Sequence, residues 1–132
     1  MPLSSYPRGM GKKVKRTPEM WLVAYFLVRC GAREQGGKPK PPTQLDCSQW
    51  GLAYAMFYER LGGGRTLEQF KRSLRNARDY FDSHLDSGRM GWRSGDPARP
   101  PAPLPGDGQK ILAYWEGRSD DELWKAVSAF VD

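Results

Sequence analysis

Residues 17–31 read TPEMWLVAYFLVRCG, and whether they form a helix or a strand decides the fold class. Val23, Tyr25, Phe26 and Val28 would suit a buried strand. The residues in front of them point to a helix. Thr17 can cap, Pro18 suits the first helical position because it has no N–H to leave unsatisfied, and Glu19 sits at the positive end of the helix dipole. Gly31 supplies the stop. A helix over 18–30 would be apolar on nearly every side, and such a helix belongs at the centre of a domain, covered by its neighbours.

The segments that follow supply those neighbours. Residues 31–45 contain GGKPKPP, a turn-rich linker that cannot be helical past Pro39. A second helix is expected over 47–61, with Asp46 as cap and Gln49 as its capping-box partner. It carries Trp50, Ala53, Met56, Phe57 and Leu61 on one side and ends at Gly62-Gly63-Gly64. The third helix is the clearest element. Thr66 and Gln69 form a capping pair, and Leu67, Phe70, Leu74, Ala77 and Phe81 recur at spacings of three and four through a helix over 66–85. Residues 86–107 read DSGRMGWRSGDPARPPAPLPGD, whose prolines favour extended chain, with Met90 and Trp92 available to pin one end. Asp107 can start a short helix over 108–116 closed by Gly117, although Ile111–Trp115 would also suit a strand. Ser119 and Glu122 make a third capping box before Leu123, Trp124, Ala126, Val127, Phe130 and Val131. The pattern predicts an all-α fold, a single-domain bundle of four to five helices over 17–132. A long Pro-rich surface loop crosses it, and a flexible basic N-terminal arm over 1–16 precedes it.

Charge is graded along the 132 residues, which carry 21 Lys/Arg and 15 Asp/Glu for a net charge of +6. Residues 1–46 hold nine Lys/Arg against three acids, 47–99 nine against six, and 100–132 three against six. A basic front favours an anionic partner. At the rear, Asp120, Asp121 and Glu122 suit the positive end of the last helix, so much of the acidic charge has a structural explanation. Two cysteines, Cys30 and Cys47, do not make a disulfide framework, although one bridge across the 31–46 loop stays open. The apolar run Met20–Val28 falls well short of the roughly 20 residues that span a bilayer. Cytoplasmic residence with reduced thiols is expected.

The chemistry-bearing residues narrow the function. One histidine, His84, and two separated cysteines build no structural zinc site, and no metal or cofactor is expected. Cys30 ends an apolar helix, where thiols are inert, and His84 fits the last turn of the third helix through the dipole. Asp79, Asp82 and Asp86 could hold Mg²⁺ in a nuclease-like enzyme, but Arg75 and Arg78 can pair with them across a turn. Gly62–Thr66 opens a helix without the lysine or preceding strand of a nucleotide-hydrolysing loop, leaving a single phosphate contact as its use.

What remains is a helix, a glycine turn and a basic helix, an architecture similar to a helix-turn-helix. Arg65, Gln69, Arg72 and Asn76 would face base edges, and Lys71, Arg75 and Arg78 would contact phosphates together with Lys12, Lys13, Lys15 and Arg16 of the arm. Trp21, Trp50 and Trp124 lie on apolar faces and belong to the core. Trp92, between Arg89 and Arg93, suits stacking on a base or anchoring a partner. The sequence thus predicts a small non-enzymatic nucleic-acid-binding protein, DNA first. The alternative is a protein-interaction module of a larger complex or mobile element, which would use the Pro-rich loop and exposed aromatics.

Overall fold

The computed structural model describes residues 16–33, 39–82, 84 and 103–131. The Lys12, Lys13 and Lys15 arm and the Arg89-Met90-Gly91-Trp92-Arg93 stretch lie outside the described residues. The described chain is mostly helical, with helices α1 (Pro18–Arg29), α2 (Trp50–Ala55), α3 (Tyr58–Leu61), α4 (Leu67–Asp82), α5 (Gly106–Trp115) and α6 (Asp120–Ser128). Two-residue strands β1 (Ala32–Arg33) and β2 (Pro39–Lys40) pair antiparallel, with Ala32 opposite Lys40.

The capping residues of α1 act as the sequence indicates. Thr17 Oγ1 accepts the Met20 N–H at 3.3 Å, and Pro18 opens the helix. Met20, Val23, Ala24, Tyr25, Phe26 and Leu27 are essentially inaccessible to water, so α1 is the central helix. It packs most extensively on α4, then on α5 and α6. On α4 the stripe Phe70, Leu74, Ala77 and Phe81 is fully buried. The Trp21 ring meets Tyr80 and Phe81 edge-on at 5.7 and 5.9 Å, and Tyr25 meets Phe81 at 5.4 Å. Each full burial of a large apolar side chain is worth roughly 1.5–3 kcal/mol, and edge-on ring pairs add to it. Phe26 stacks on Trp124 at 5.4 Å and brings α6 onto the same core.

The second helix departs from expectation in two ways. Asp46 does not cap it. Asp46 stands at φ 51, ψ 44, in the left-handed region that Asp tolerates, and closes a 3-10 turn over Thr43–Leu45 by donating its N–H to Thr43 O at 3.1 Å. Helix α2 starts at Trp50 after an extended Gln49 with no side-chain cap. The chain then tightens at Met56-Phe57, where Phe57 N–H bonds back three residues to Tyr54 O at 3.2 Å. That break divides the expected second helix into α2 and α3, so that six helices stand among the described residues. It also lets Phe57 sink completely into the core. Of the Pro-rich stretch, only its end is described. Leu104 is buried there, and Gln109 Nε2 donates to Leu104 O at 2.7 Å.

The α3–α4 turn needs glycine at two positions. A Cβ at Gly62 would lie 2.6 Å from the Tyr58 ring and carbonyl, and Gly63 has φ +59. Helix α4 then opens on the expected reciprocal box: Gln69 N–H donates to Thr66 Oγ1 at 3.2 Å, and Thr66 N–H to Gln69 Oε1 at 2.9 Å. It ends at Asp82, so His84 lies beyond the helix in a turn, its N–H bonded to Phe81 O at 2.9 Å. Helix α6 likewise carries its capping box, with Glu122 N–H donating to Ser119 Oγ at 3.1 Å.

Arg29 closes the bundle at the other end. Its Nε donates to Asp120 Oδ1 at 2.8 Å and its Nη1 to Tyr25 OH at 3.1 Å and Trp115 O at 2.6 Å, while Nη2 donates to Arg118 O. One guanidinium therefore ties α1 to the α5–α6 turn through charge-assisted bonds, each stronger than a neutral one. We expect Arg29→Met to lower unfolding free energy by about 2–3 kcal/mol. In urea titrations the midpoint should fall with the slope unchanged.

Candidate nucleic-acid interface

The α4 surface divides the expected site residues into two groups. Arg72, Arg75 and Asn76 are exposed on the face away from α1, and so is Gln69. These four fall within two turns, where residues three and four apart are neighbours. Gln69 has a second employment, since its Oε1 already accepts the Thr66 N–H in the cap. Reading an adenine through both its donor and acceptor would break the cap. Lys71 is turned aside as well. Its Nζ lies 3.7 Å from Glu68 Oε1 and stands over Gly51 of α2.

Arg65 and Arg78 do not stand on this open face. Arg65 is only 7% exposed. Burial pulls its guanidinium below the ordinary arginine range, and nearby Arg16 adds to that shift. Its main-chain carbonyl accepts the Tyr58 hydroxyl at 2.6 Å. Arg78 is 5% exposed and packs against α2, its guanidinium carbon 4.0 Å from the Trp50 ring centre and 5.6 Å from that of Tyr54. Its Nε and Nη1 have no hydrogen-bond partner among the described residues. An arginine can be buried this way because its guanidinium is weakly hydrated and an aromatic face attracts it, by about 2 kcal/mol when desolvated. Burial pushes the neighbouring Tyr54 phenol up to about 12, against the pull of Arg78.

Arg16 takes a place that the sequence did not reveal. It is half-buried, its Nε donates to the carbonyl of Ser73 in the middle of α4 at 3.0 Å, and its guanidinium carbon lies 5.5 Å from the Trp21 ring centre. Burial pulls its guanidinium below the ordinary range, and Tyr80 partly offsets this. Ser73 shares a stripe with Gln69, Asn76 and Tyr80. The root of the arm therefore sits at the edge of the exposed α4 face.

The helix-turn-helix likeness is loose. Helix α3 has four residues, a five-residue stretch over 62–66 joins it to α4, and it is α2 that packs on α4. The phosphate contact considered for that turn loses its arginine to burial. For the nuclease reading, Asp82 is 3% exposed, so it shares no open face with Asp79. Burial pushes the Asp79 carboxyl up, against Arg78 and Arg75. Asp86 lies outside the described residues. Among the described residues no three His, Cys, Asp or Glu side chains gather to hold a metal, and no helix is long and apolar enough to cross a membrane. Both cysteines are free thiols, and burial, with Asp120 nearby, pushes the Cys30 thiol up to about 12.

A second surface stands on α5. Tyr114 is 56% exposed, with the Arg118 guanidinium carbon 4.0 Å from its ring centre and the Trp115 ring 5.0 Å away. The i,i+4 spacing of Tyr114 and Arg118 was the available signal. Comparison with protein-family models, curated proteins and solved structures finds no match for this chain.

Two expectations follow from burial. Arg78→Ala empties a packed site against Trp50 and should destabilise the fold by about 2–4 kcal/mol, whereas Arg72→Ala and Arg75→Ala should each stay within about 0.5 kcal/mol in chemical denaturation. A thiol raised to about 12 stays protonated at neutral pH and is a poor nucleophile. In a Cys47→Ser background at pH 8, Cys30 should react with a disulfide reagent at least about tenfold more slowly in the folded chain than in urea.

Proposed function

We propose that this chain is a non-enzymatic nucleic-acid-binding protein, with duplex DNA as the partner and the exposed face of α4 as the contact surface. In this reading α4 would serve as the recognition helix of a loose helix-turn-helix-like arrangement. One observation carries this reading. Arg72, Arg75 and Asn76 project together from a helix whose opposite face is sealed against α1, and the basic arm starts beside them because Arg16 is docked on Ser73. Arginine suits guanine and phosphate, and Asn suits adenine. Arg65 and Arg78 drop out as direct contacts because they are buried. Gln69 serves the cap first.

A second reading, a protein-interaction module, is favoured by the α5 surface. Tyr114 and Arg118 stack in the open, and Tyr and Arg are the residues that dominate protein interfaces. Leu52, 55% exposed on α2, adds apolar surface. The α4 reading comes first because the net charge of the chain and the root of the arm favour an anion on that side.

A fluorescence-anisotropy titration of a random-sequence DNA duplex across salt tests the leading reading. With Lys12, Lys13, Lys15, Arg16, Arg72 and Arg75 as contacts, log K should fall against log salt with a slope of about −5. The Arg72→Glu/Arg75→Glu pair should weaken binding at every salt concentration and flatten the slope by about 2. Absence of binding at low salt, or a slope that the double reversal leaves unchanged, contradicts the proposal. Loss of binding to a protein partner on Tyr114→Ala, with Arg72 and Arg75 dispensable, would establish the second reading.

A further inference from the structure

Lys71, Arg75 and Arg78 follow one another along α4 at spacings of four and three, which sets them on a single stripe. That stripe runs along the edge of α4 that meets α2. Arg75, its middle member, is exposed. Lys71 is half-buried over Gly51, where α2 carries no side chain, and even a Cβ there would lie 3.9 Å from its Nζ. Only Arg78 is withdrawn, against Trp50 and Tyr54.

We infer that Arg78 is a latent phosphate contact, stored on the Trp50 ring in the free chain and turned out beside Arg75 when a nucleic-acid backbone reaches α4. This rests on the nucleic-acid reading of α4 and adds a residue that the free chain conceals. The stored position is a compromise. Its guanidinium carbon stands 4.0 Å from the Trp50 ring centre, a contact that suits a weakly hydrated cation. Against this, Nε and Nη1 are shut off from water and donate to no partner among the described residues. Asp79 and Asp82 lie close by, yet neither nitrogen donates to them. Tyr54 supplies no counter-charge, because its phenol, pushed up to about 12 by burial, stays neutral at neutral pH.

A buried donor without an acceptor costs about as much as a desolvated contact between a cation and a ring gains. The two effects nearly offset, so a strong acceptor outside is enough to draw the side chain away. A phosphate oxygen is such an acceptor, because its bonds from a guanidinium are charge-assisted on both sides. The move is also short. Side chains three apart on a helix are neighbours, so a change of rotamer brings the Arg78 guanidinium alongside that of Arg75. Trp50 is only half-buried, which puts the stack at the rim of the core. Leaving the ring exchanges one contact for another, so Arg78 adds less affinity than an arginine already in the open.

The experiment follows the Arg78 Nε–H by proton–nitrogen NMR as a random-sequence DNA duplex is added to the full chain at low salt, with the signal assigned through its own side-chain carbons. In the free chain the ring current of Trp50 should hold this proton upfield of those of Arg72 and Arg75, in slow exchange with water. At saturation it should move into their range, and the Trp50 indole N–H should shift with it. Arg78→Met, which keeps an unbranched stem against the ring, should weaken binding about fivefold and flatten the salt slope by about 1. Trp50→Leu removes the ring that holds Arg78 back, so it should tighten binding about threefold and keep the wild-type slope. An Arg78 Nε–H that stays upfield in the saturated complex, or an Arg78→Met slope equal to that of wild type, overturns the latent contact and leaves the α4 reading standing. Weaker binding by Trp50→Leu likewise counts against it. A wild-type chain that does not bind overturns both.

Discussion

The burial of α1 against α4 is the contact on which the rest of the structure depends. Trp21 and Tyr25 close on Phe81, and the fully buried stripe of α4 packs most extensively on this helix. Because α1 is apolar almost all round, it must be covered on several sides. Helix α4 takes one side, and α5 and α6 take others, with Phe26 stacked on Trp124. The same contact fixes which residues of α4 remain outside. Once Phe70, Leu74, Ala77 and Phe81 point inward, the helical repeat leaves Arg72, Arg75 and Asn76 outward without further instruction.

Polar groups then set the ends of this arrangement. Thr17, the Thr66–Gln69 pair and the Ser119–Glu122 pair satisfy main-chain N–H groups that a helix start leaves without partners. Arg29 satisfies carbonyls at the opposite end, around the turn between α5 and α6. The acidic cluster at that turn is therefore largely structural: Asp120 receives Arg29, and Glu122 serves the cap and lies 3.7 Å from Arg118. The charge asymmetry of the chain concerns its front far more than its rear.

The parts legible in the sequence are those governed by local chemistry. Capping residues and three-four spacing locate α1, α4 and α6 to within a few residues, because a cap and an apolar stripe act within one or two turns. Helix α2 was misplaced for the converse reason. Asp46 is an equally good cap and a tolerant left-handed residue, and the 3-10 turn before it depends on Leu45 and the buried Pro42 reaching the core. The break at Phe57 follows from the same demand for burial. At the candidate site, the exposed trio on α4 followed from periodicity. Arg78 and Arg65 did not: Arg78 is covered by Trp50, which comes from another element, and Arg65 is buried in the turn before α4. The docking of Arg16 on Ser73 spans 57 residues of sequence and leaves no local mark.

In the proposed function, α4 and the neighbouring Arg16 meet nucleic acid. Amide chemical-shift mapping of the full chain with a short DNA duplex tests this most directly. Binding through α4 predicts shifts concentrated at Arg72, Arg75 and Asn76 and around Arg16 and Thr17, with Tyr114, Trp115 and Arg118 at the end of α5 unmoved. Shifts centred on Tyr114, Trp115 and Arg118, or none above those of a neutral control polymer, would contradict it.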